Sequence, residues 1–330
     1  LLVGLGMIVA SQTTSYMGYV IGFGVLAGTG IGFGYASATP PAVKWFPAAR
    51  TGLIAGIVVS GFGLASVYVA PLAKSLIKSY GVPTTMLSFG IGFLIVVVGL
   101  SQFLQPPPKG YVPVGTVPPA AGAAAKKDDY TPGEVLRTWQ FYLLWFMYVC
   151  GAGAGLMVIS KLAKMAEVQA GVNLGFVLVA VLAVGNGGGR IIAGIVSDRI
   201  GRKATLFSCF VMQAVLILLL SRAATGNFLG STVVLALLSA LIGANYGANL
   251  SLFPSVTKDF YGIRNFGVNY GLVFTAWGLG GFMLSLLAGQ VYDQTKTFTF
   301  AYYCSACLLV AAALASFLLK PPSPRSAVAA

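Results

Sequence analysis

One residue in one setting dominates the chemistry open to this chain: an arginine, Arg190, inside an apolar run. Phe176, Val177, Leu178, Val179, Val181, Leu182 and Val184 precede it, and Ile191, Ile192, Ile195 and Val196 follow. The run reads as a membrane-crossing helix broken at Asn186-Gly187-Gly188-Gly189-Arg190. At about 1.5 Å per residue, Arg190 lies roughly 12 Å from Asp198, near the middle of a hydrocarbon layer about 30 Å thick. A guanidinium does not lose its proton in a protein, and holding it there costs at least ~2.5–3.5 kcal/mol. The seven acidic residues (Asp128, Asp129, Glu134, Glu167, Asp198, Asp259 and Asp293) all fall in loops or near helix ends. The partner of Arg190 is therefore read as an anion that comes and goes. The competing reading is an arginine satisfied by backbone carbonyls of broken helices. Asn186, one turn before Arg190 on the same helix face, can hydrogen-bond a bound ligand but cannot take up a proton.

The elements that must position this charge are membrane helices. The chain is 57% hydrophobic and 8% charged, with a mean hydropathy of +0.87. Several windows reach the ~20 apolar residues that a spanning helix needs. The net charge of +13 does not point to nucleic acid, because the basic residues lie in loops between apolar segments rather than on one face. Counting alternate loops, thirteen Lys and Arg lie on one side (Lys44, Arg50 and Arg202 among them) and six on the other. That bias makes the richer side cytoplasmic, places the central loop and the C-terminus there, and fits a multi-pass protein of the inner (plasma) membrane. There is no histidine, so His-based metal or haem sites are excluded. Cys150, Cys209, Cys304 and Cys307 lie in apolar segments and read as packing residues. No phosphate loop or dinucleotide fingerprint is present. No cofactor, metal, nucleotide or catalytic residue is implied, and the chain is not read as an enzyme.

Complete spans are expected at 17–40, 51–76, 84–103, 140–163, 174–197, 204–221, 228–252, 266–290 and 298–319, after an apolar stub at 1–10. Residues 105–138 change character: Pro106-Pro107-Pro108, Pro118-Pro119 and Lys126-Lys127-Asp128-Asp129 cannot build a core. They read as a cytoplasmic linker, ending in a short interfacial helix whose start, Thr131-Pro132-Gly133-Glu134, matches a capping box. The domains are then 1–104, the remainder of an N-terminal helical half; the linker 105–138; 139–320, a six-helix half; and a tail, 321–330. Lys44-Trp45-Phe46 with Arg50 recurs as Lys258-Asp259-Phe260 with Arg264, an offset of 214 residues. By that offset the first half lacks two helices and most of a third. Transporters built from repeats have this organisation. Gly24, Gly28, Gly32 and Ala36 form a small-residue ladder that would let helices approach closely.

Gly194-Ile-Val-Ser-Asp198-Arg199-Ile-Gly201-Arg202-Lys203 resembles the loop signature of the major facilitator superfamily. In it Gly201 gives the turn, Asp198 can pair with a nearby arginine, and the basic residues hold the loop at the membrane surface. Within that superfamily the chain is similar to the bacterial oxalate/formate antiporter and monocarboxylate transporter branch. The residues that carry this likeness are Tyr35, Lys44-Trp45-Phe46-Pro47, Glu134-Val-Leu-Arg137-Thr138, Asn186-Gly-Gly-Gly-Arg190, Leu252-Phe253-Pro254-Ser255 and Arg264-Asn265. The resemblance implies an all-α membrane fold of two six-helix halves, twelve helices in all, here without the first two and most of the third. It also implies that Arg190 binds a substrate carboxylate, and that Tyr35, Tyr246 and Tyr270 line the cavity, with Phe274 shaping it and Asn186 orienting the ligand. The oxalate exchangers carry a second cation where this chain has Val273, so one carboxylate is favoured: a lactate, pyruvate or acetate type of substrate. In the animal monocarboxylate carriers the position of Asn186 is an Asp. The expected function is a secondary active transporter of small monocarboxylates, proton-coupled by the resemblance and working by alternating access. An obligate organic-anion exchanger and a nontransporting sensor of carboxylates are the alternatives.

Overall fold

The computed structural model describes residues 1–108, 110–113 and 129–322, and among these every regular element is a helix. In chain order they are α1 (Leu2–Ser11), α2 (Tyr16–Lys44), α3 (Thr51–Ser101), the single turn α4 (Pro132–Val135), α5 (Trp139–Ala170), α6 (Gly175–Ile200), α7 (Arg202–Ser221), α8 (Thr232–Tyr261), α9 (Phe266–Thr295) and α10 (Thr299–Ser316). Eight of them, all but α1 and α4, are long and apolar enough to cross a membrane. Drawn straight, the 51 residues of α3 would extend about 76 Å, far beyond a layer of about 30 Å. The helix is divided at Gly81, whose φ of 78° is costly for any residue with a Cβ. Two crossing segments result, corresponding to the windows expected at 51–76 and 84–103.

The chain forms two compact units, Leu1–Trp45 with Ala65–Val114, and Phe46–Leu64 with Gly115–Ala330. In the first, α1 lies against α2 through glycines. A side chain at Gly6 would run into the backbone of Ala27, and one at Gly22 into that of Ala10. Among the described residues, the ladder expected to pack, Gly24, Gly28 and Gly32, has no heavy atom within 4 Å of where a Cβ would stand. Helix α2 uses the face carrying Gly22, Ala27 and Gly30, because α1 is the neighbour it meets. Near the start of the linker, Trp45 Nε1 donates to the Gln105 carbonyl at 3.0 Å, and Tyr111 sits edge-on to the Trp45 ring.

In the second unit α6 packs on α8, α5 on α9 and α7 on α10. The end of the linker is tied to the turn between α8 and α9. Asp129 Oδ1 accepts from the backbone N–H groups of Ile263 and Arg264, both at 2.9 Å. Asn265 and Asn269 donate to the Tyr130 carbonyl, each at 3.0 Å. Glu134 Oε2 accepts from the Thr131 backbone N–H and from its hydroxyl, both at 2.7 Å, which fixes the turn α4. Lys126, Lys127 and Asp128, with the rest of 114–128, and the tail from 323 onward lie outside the described residues.

Three local expectations need correction. Asn186-Gly187-Gly188-Gly189-Arg190 does not break its helix: α6 runs unbroken from Gly175 to Ile200, with Gly187 and Gly189 packed against neighbouring helices. Lys258 and Asp259 are not in a loop, since α8 passes through Pro254 and ends at Tyr261. The cysteines do not all pack inside: Cys150 and Cys209 are buried, whereas Cys307 is exposed.

Candidate functional site

Arg190 lies halfway along α6 and is only 3% exposed. Its position follows from the glycines around it. On one flank, the segment 51–64 of α3 approaches backbone to backbone: a Cβ at Gly63 would stand 2.7 Å from the Gly187 nitrogen, and one at Gly52 2.5 Å from the Gly194 carbonyl. On the other flank a side chain at Gly189 would strike the backbone of Ala244, and one at Gly247 the Asn186 carbonyl. A helix crossed this closely on two sides holds the side chain of Arg190, in its middle turns, in a fixed place.

The guanidinium meets neutral oxygens. Nε donates to Asn186 Oδ1 at 3.0 Å, and Nη1 donates to the backbone carbonyl of Val59. Among the described residues Arg190 forms no ion pair, and Nη2 has no bonded partner. Asn186 was expected to face a ligand through its amide. Its oxygen instead holds Nε, which leaves the amide N–H groups for a ligand. A carboxylate requires two parallel donors, and Nη1 and Nη2 form such an edge.

Aromatic side chains of three helices in the same unit form one linked cluster. Tyr246 of α8 is buried with its ring against Gly155 of α5, and its hydroxyl accepts a hydrogen bond from Trp277 Nε1 of α9 at 2.9 Å. Tyr246 and Arg190 lie where α6 and α8 cross, with Gly189 against Ala244 and Gly247 against Asn186. The Trp277 indole stacks on Phe274, centroids 5.3 Å apart and planes 10° from parallel. Phe274 in turn contacts Tyr270 at 5.6 Å. Tyr148 of α5 stacks on Phe253 at 4.0 Å, and its hydroxyl lies 3.4 Å from that of Tyr270. The structure thus brings Asn186, Arg190, Tyr246, Tyr270 and Phe274 into one unit. Tyr35, buried on α2, belongs to the other. Val273 is fully buried. On the other side of α6 a cleft of about 250 Å³ runs past Gly189, Ala193, Cys209, Met212, Asn245 and Ala248; its lining is nearly all apolar and leaves Arg190 out.

The charged turn after α6 is tied to the start of α3. Asp198 accepts from the backbone N–H of Gly52 at 3.0 Å and of Leu53 at 2.9 Å, so a carboxylate occupies the positive end of a helix. Arg202 bridges Asp198 at 2.6 Å and Asp259 at 3.0 Å, and its Nη1 also donates to the Ser197 hydroxyl. Gly201 takes φ 91° between the two helices. Lys203 donates to the Phe317 carbonyl at 2.6 Å, Arg199 points outward, and Lys258 donates to the Thr51 hydroxyl at 2.5 Å. Gly194 meets Gly52, which lets Asp198 reach the helix end.

A sequence model described as Major Facilitator Superfamily matches residues 164–330, just over half of the chain. The chain belongs to the Major Facilitator Superfamily. Its fold agrees: the crystal structure of FucP, a transporter of that superfamily captured in the outward conformation, superposes with a TM-score of 0.67 at 16% identity, covering 96% of this chain and 80% of FucP. The human organic anion transporter MFSD10 gives 0.65 at 15% identity, covering 95% and 74%. Among relatives in sequence, the MFS-type transporter YhjX of Escherichia coli (strain K12) is 28% identical over 284 residues, 85% of this chain and 67% of that protein. The oxalate:formate antiporter of Oxalobacter formigenes is 31% identical over 258 residues, 76% of this chain and 57% of that protein. Human monocarboxylate transporter 14 is 29% identical over 154 residues, 46% and 28%. The chain therefore spans between 57% and 67% of the length of the first two of these relatives.

Within this Major Facilitator fold, three parts of the site escaped the sequence reading. Trp277 had a usable signal, since Tyr270, Phe274 and Trp277 follow at spacings of four and three along one helical face. Tyr148 had none, being one aromatic among many in α5. The Val59 carbonyl is a backbone group, and no side-chain pattern announces it.

Proposed function

We propose that this chain is the greater part of a secondary active transporter of small organic anions, a monocarboxylate carrier of the lactate, pyruvate or acetate type that works by alternating access. The observation that carries the reading is Arg190: buried in the middle turns of a membrane-length helix and bonded, among the described residues, only to the neutral oxygens of Asn186 and Val59. Intramembrane charges are functional by default, and a permanent cation with neutral partners keeps its full attraction for an anion. In the loaded state the carboxylate bridges Nη1 and Nη2, taking the place of the Val59 carbonyl at Nη1. The Asn186 amide N–H and the Tyr246 hydroxyl orient it, and the Phe274 and Trp277 rings face its apolar part. Fully buried Val273 supplies no second cation, which favours one carboxylate over two.

The likeness to monocarboxylate transporter 14 supports the substrate class, and a proton is proposed to accompany the anion. The basic loops favour the inner (plasma) membrane, with the linker and the charged turn after α6 on the cytoplasmic side. Obligate exchange is the second reading, favoured by the likeness to the oxalate:formate antiporter. Uptake of labelled lactate by proteoliposomes holding the full-length protein tests the site. Arg190→Ala and Arg190→Lys are expected to bring uptake to background, the lysine because it lacks the forked edge. Unimpaired uptake by Arg190→Ala would refute the assignment.

A further inference from the structure

Beside Arg190 the hydrogen-bonding groups are unevenly divided between donors and acceptors. The guanidinium only donates. Asn186 Oδ1 is taken by Nε, and the Val59 carbonyl by Nη1. Tyr246 could serve either way, because a phenol both donates and accepts. Its neighbour decides: the Trp277 indole N–H, a donor only, points at the Tyr246 oxygen from 2.9 Å. The phenolic hydrogen must then turn away from the indole, since two donors cannot face each other. Among the described residues it meets no acceptor.

Neither ring is free to change this arrangement. Stacking on Phe274 fixes the indole plane, and Tyr246 is 4% exposed and pressed on Gly155. The packing of Gly189 on Ala244 and of Gly247 on Asn186 sets Tyr246 and Arg190 at one helix crossing. In the middle turns of the helices packed around them, the titratable side chains are Tyr148 and Cys150 of α5, Cys209 of α7, Tyr246 itself and Tyr270 of α9. Groups of these types stay neutral near pH 7, so no neighbour supplies an acceptor by ionising.

We infer that Trp277 is a positioning residue that holds Tyr246 as a dedicated donor, so that the site accepts a carboxylate only in its ionised form. This rests on the reading of Arg190 as a carboxylate site. An ionised carboxylate offers acceptors alone and satisfies every donor. A protonated acid or a primary amide turns hydrogens of its own toward Nη2, the Asn186 amide and the Tyr246 hydroxyl, all of which donate. If a proton is carried with the anion, it is therefore not carried on the carboxylate bound at Arg190.

Acetate and acetamide, nearly equal in size, are suitable probes. Their dissociation constants are read from the thermal stabilisation of the purified full-length protein. Wild type is expected to prefer acetate by about a hundredfold or more. Trp277→Phe keeps an aromatic ring against Phe274 but removes the N–H, so Tyr246 can turn and accept from the amide. The preference should fall about tenfold. Tyr246→Phe, which removes the hydroxyl, should lower it by a similar factor and remains informative if Trp277→Phe does not fold. Acetate binding that survives Arg190→Ala would tell against the carboxylate site itself. Binding that needs Arg190, with the acetate preference unchanged in Tyr246→Phe or in a folded Trp277→Phe, would overturn the role given to Trp277.

Discussion

At the scale of single residues, the central pair is Asn186 and Arg190, one helical turn apart. The asparagine oxygen fixes Nε while adding no charge, so the guanidinium stays oriented and remains attractive to an anion. Removing the oxygen at nearly constant volume, Asn186→Leu, should weaken carboxylate binding about tenfold, the worth of one hydrogen bond to a charged group. Asn186→Asp is the more telling change. Its carboxylate, when ionised, occupies the guanidinium and competes with the ligand; when protonated, it releases Arg190. An Asp beside an Arg stays ionised across the neutral and mildly acid range, so uptake by this variant is expected to fall below about a tenth of wild type. Initial rates of lactate uptake at neutral pH check it. A variant as active as wild type at neutral pH would show that the ligand does not compete at Arg190.

At the scale of elements, the site depends on helices that touch through glycine. Gly189→Val should strike the Ala244 backbone and destabilise by at least about 1–3 kcal/mol. Gly188→Ala, one residue away with nothing within 4 Å, should be neutral or stabilise by up to ~1 kcal/mol. Thermal unfolding of the two variants side by side separates packing glycines from spare ones. Asp198→Asn leaves the start of α3 without its carboxylate and Arg202 without a partner there, a cost of about 1–3 kcal/mol read in the same way. These contacts mark the limit of what the sequence reveals. Long apolar windows disclosed the crossing helices, because hydropathy needs no knowledge of neighbours, and Arg190 stood out because a charge there is costly wherever the helix lies. Which glycines pack could not be read. Gly24, Gly28 and Gly32 have the regular spacing yet, among the described residues, have no neighbour within 4 Å of a Cβ, whereas Gly187 and Gly189, which look like a helix break, sit in close helix crossings. A four-residue spacing says that a smooth face exists; only the neighbour decides whether it is used. The extent of α8 was misjudged for a related reason. Pro254 ends a helix when water can take the freed carbonyl, but here the surrounding residues are buried and the helix continues.

At the scale of the whole molecule, the state of the empty site decides between net transport and exchange. A carrier whose empty site holds an unsolvated cation returns slowly without cargo and is confined to exchange. The Val59 carbonyl accepts from Arg190, and Asn186 accepts from Nε, so part of the desolvation cost of the guanidinium is offset by the protein itself. On the proposed function, that lowers the barrier to return without cargo and leads us to expect net uptake rather than obligate exchange. The charge carried in each direction follows. The loaded pair is neutral and the empty site is cationic, so one full cycle with the anion alone moves one negative charge inward, whereas a cycle with an added proton moves none. Lactate uptake into proteoliposomes with no internal anion should therefore proceed, should rise with acid outside, and should be indifferent to a membrane potential set by potassium and valinomycin. Uptake that appears only when the vesicles are preloaded with a carboxylate would select exchange. Uptake that follows the potential would show that the anion crosses without its proton.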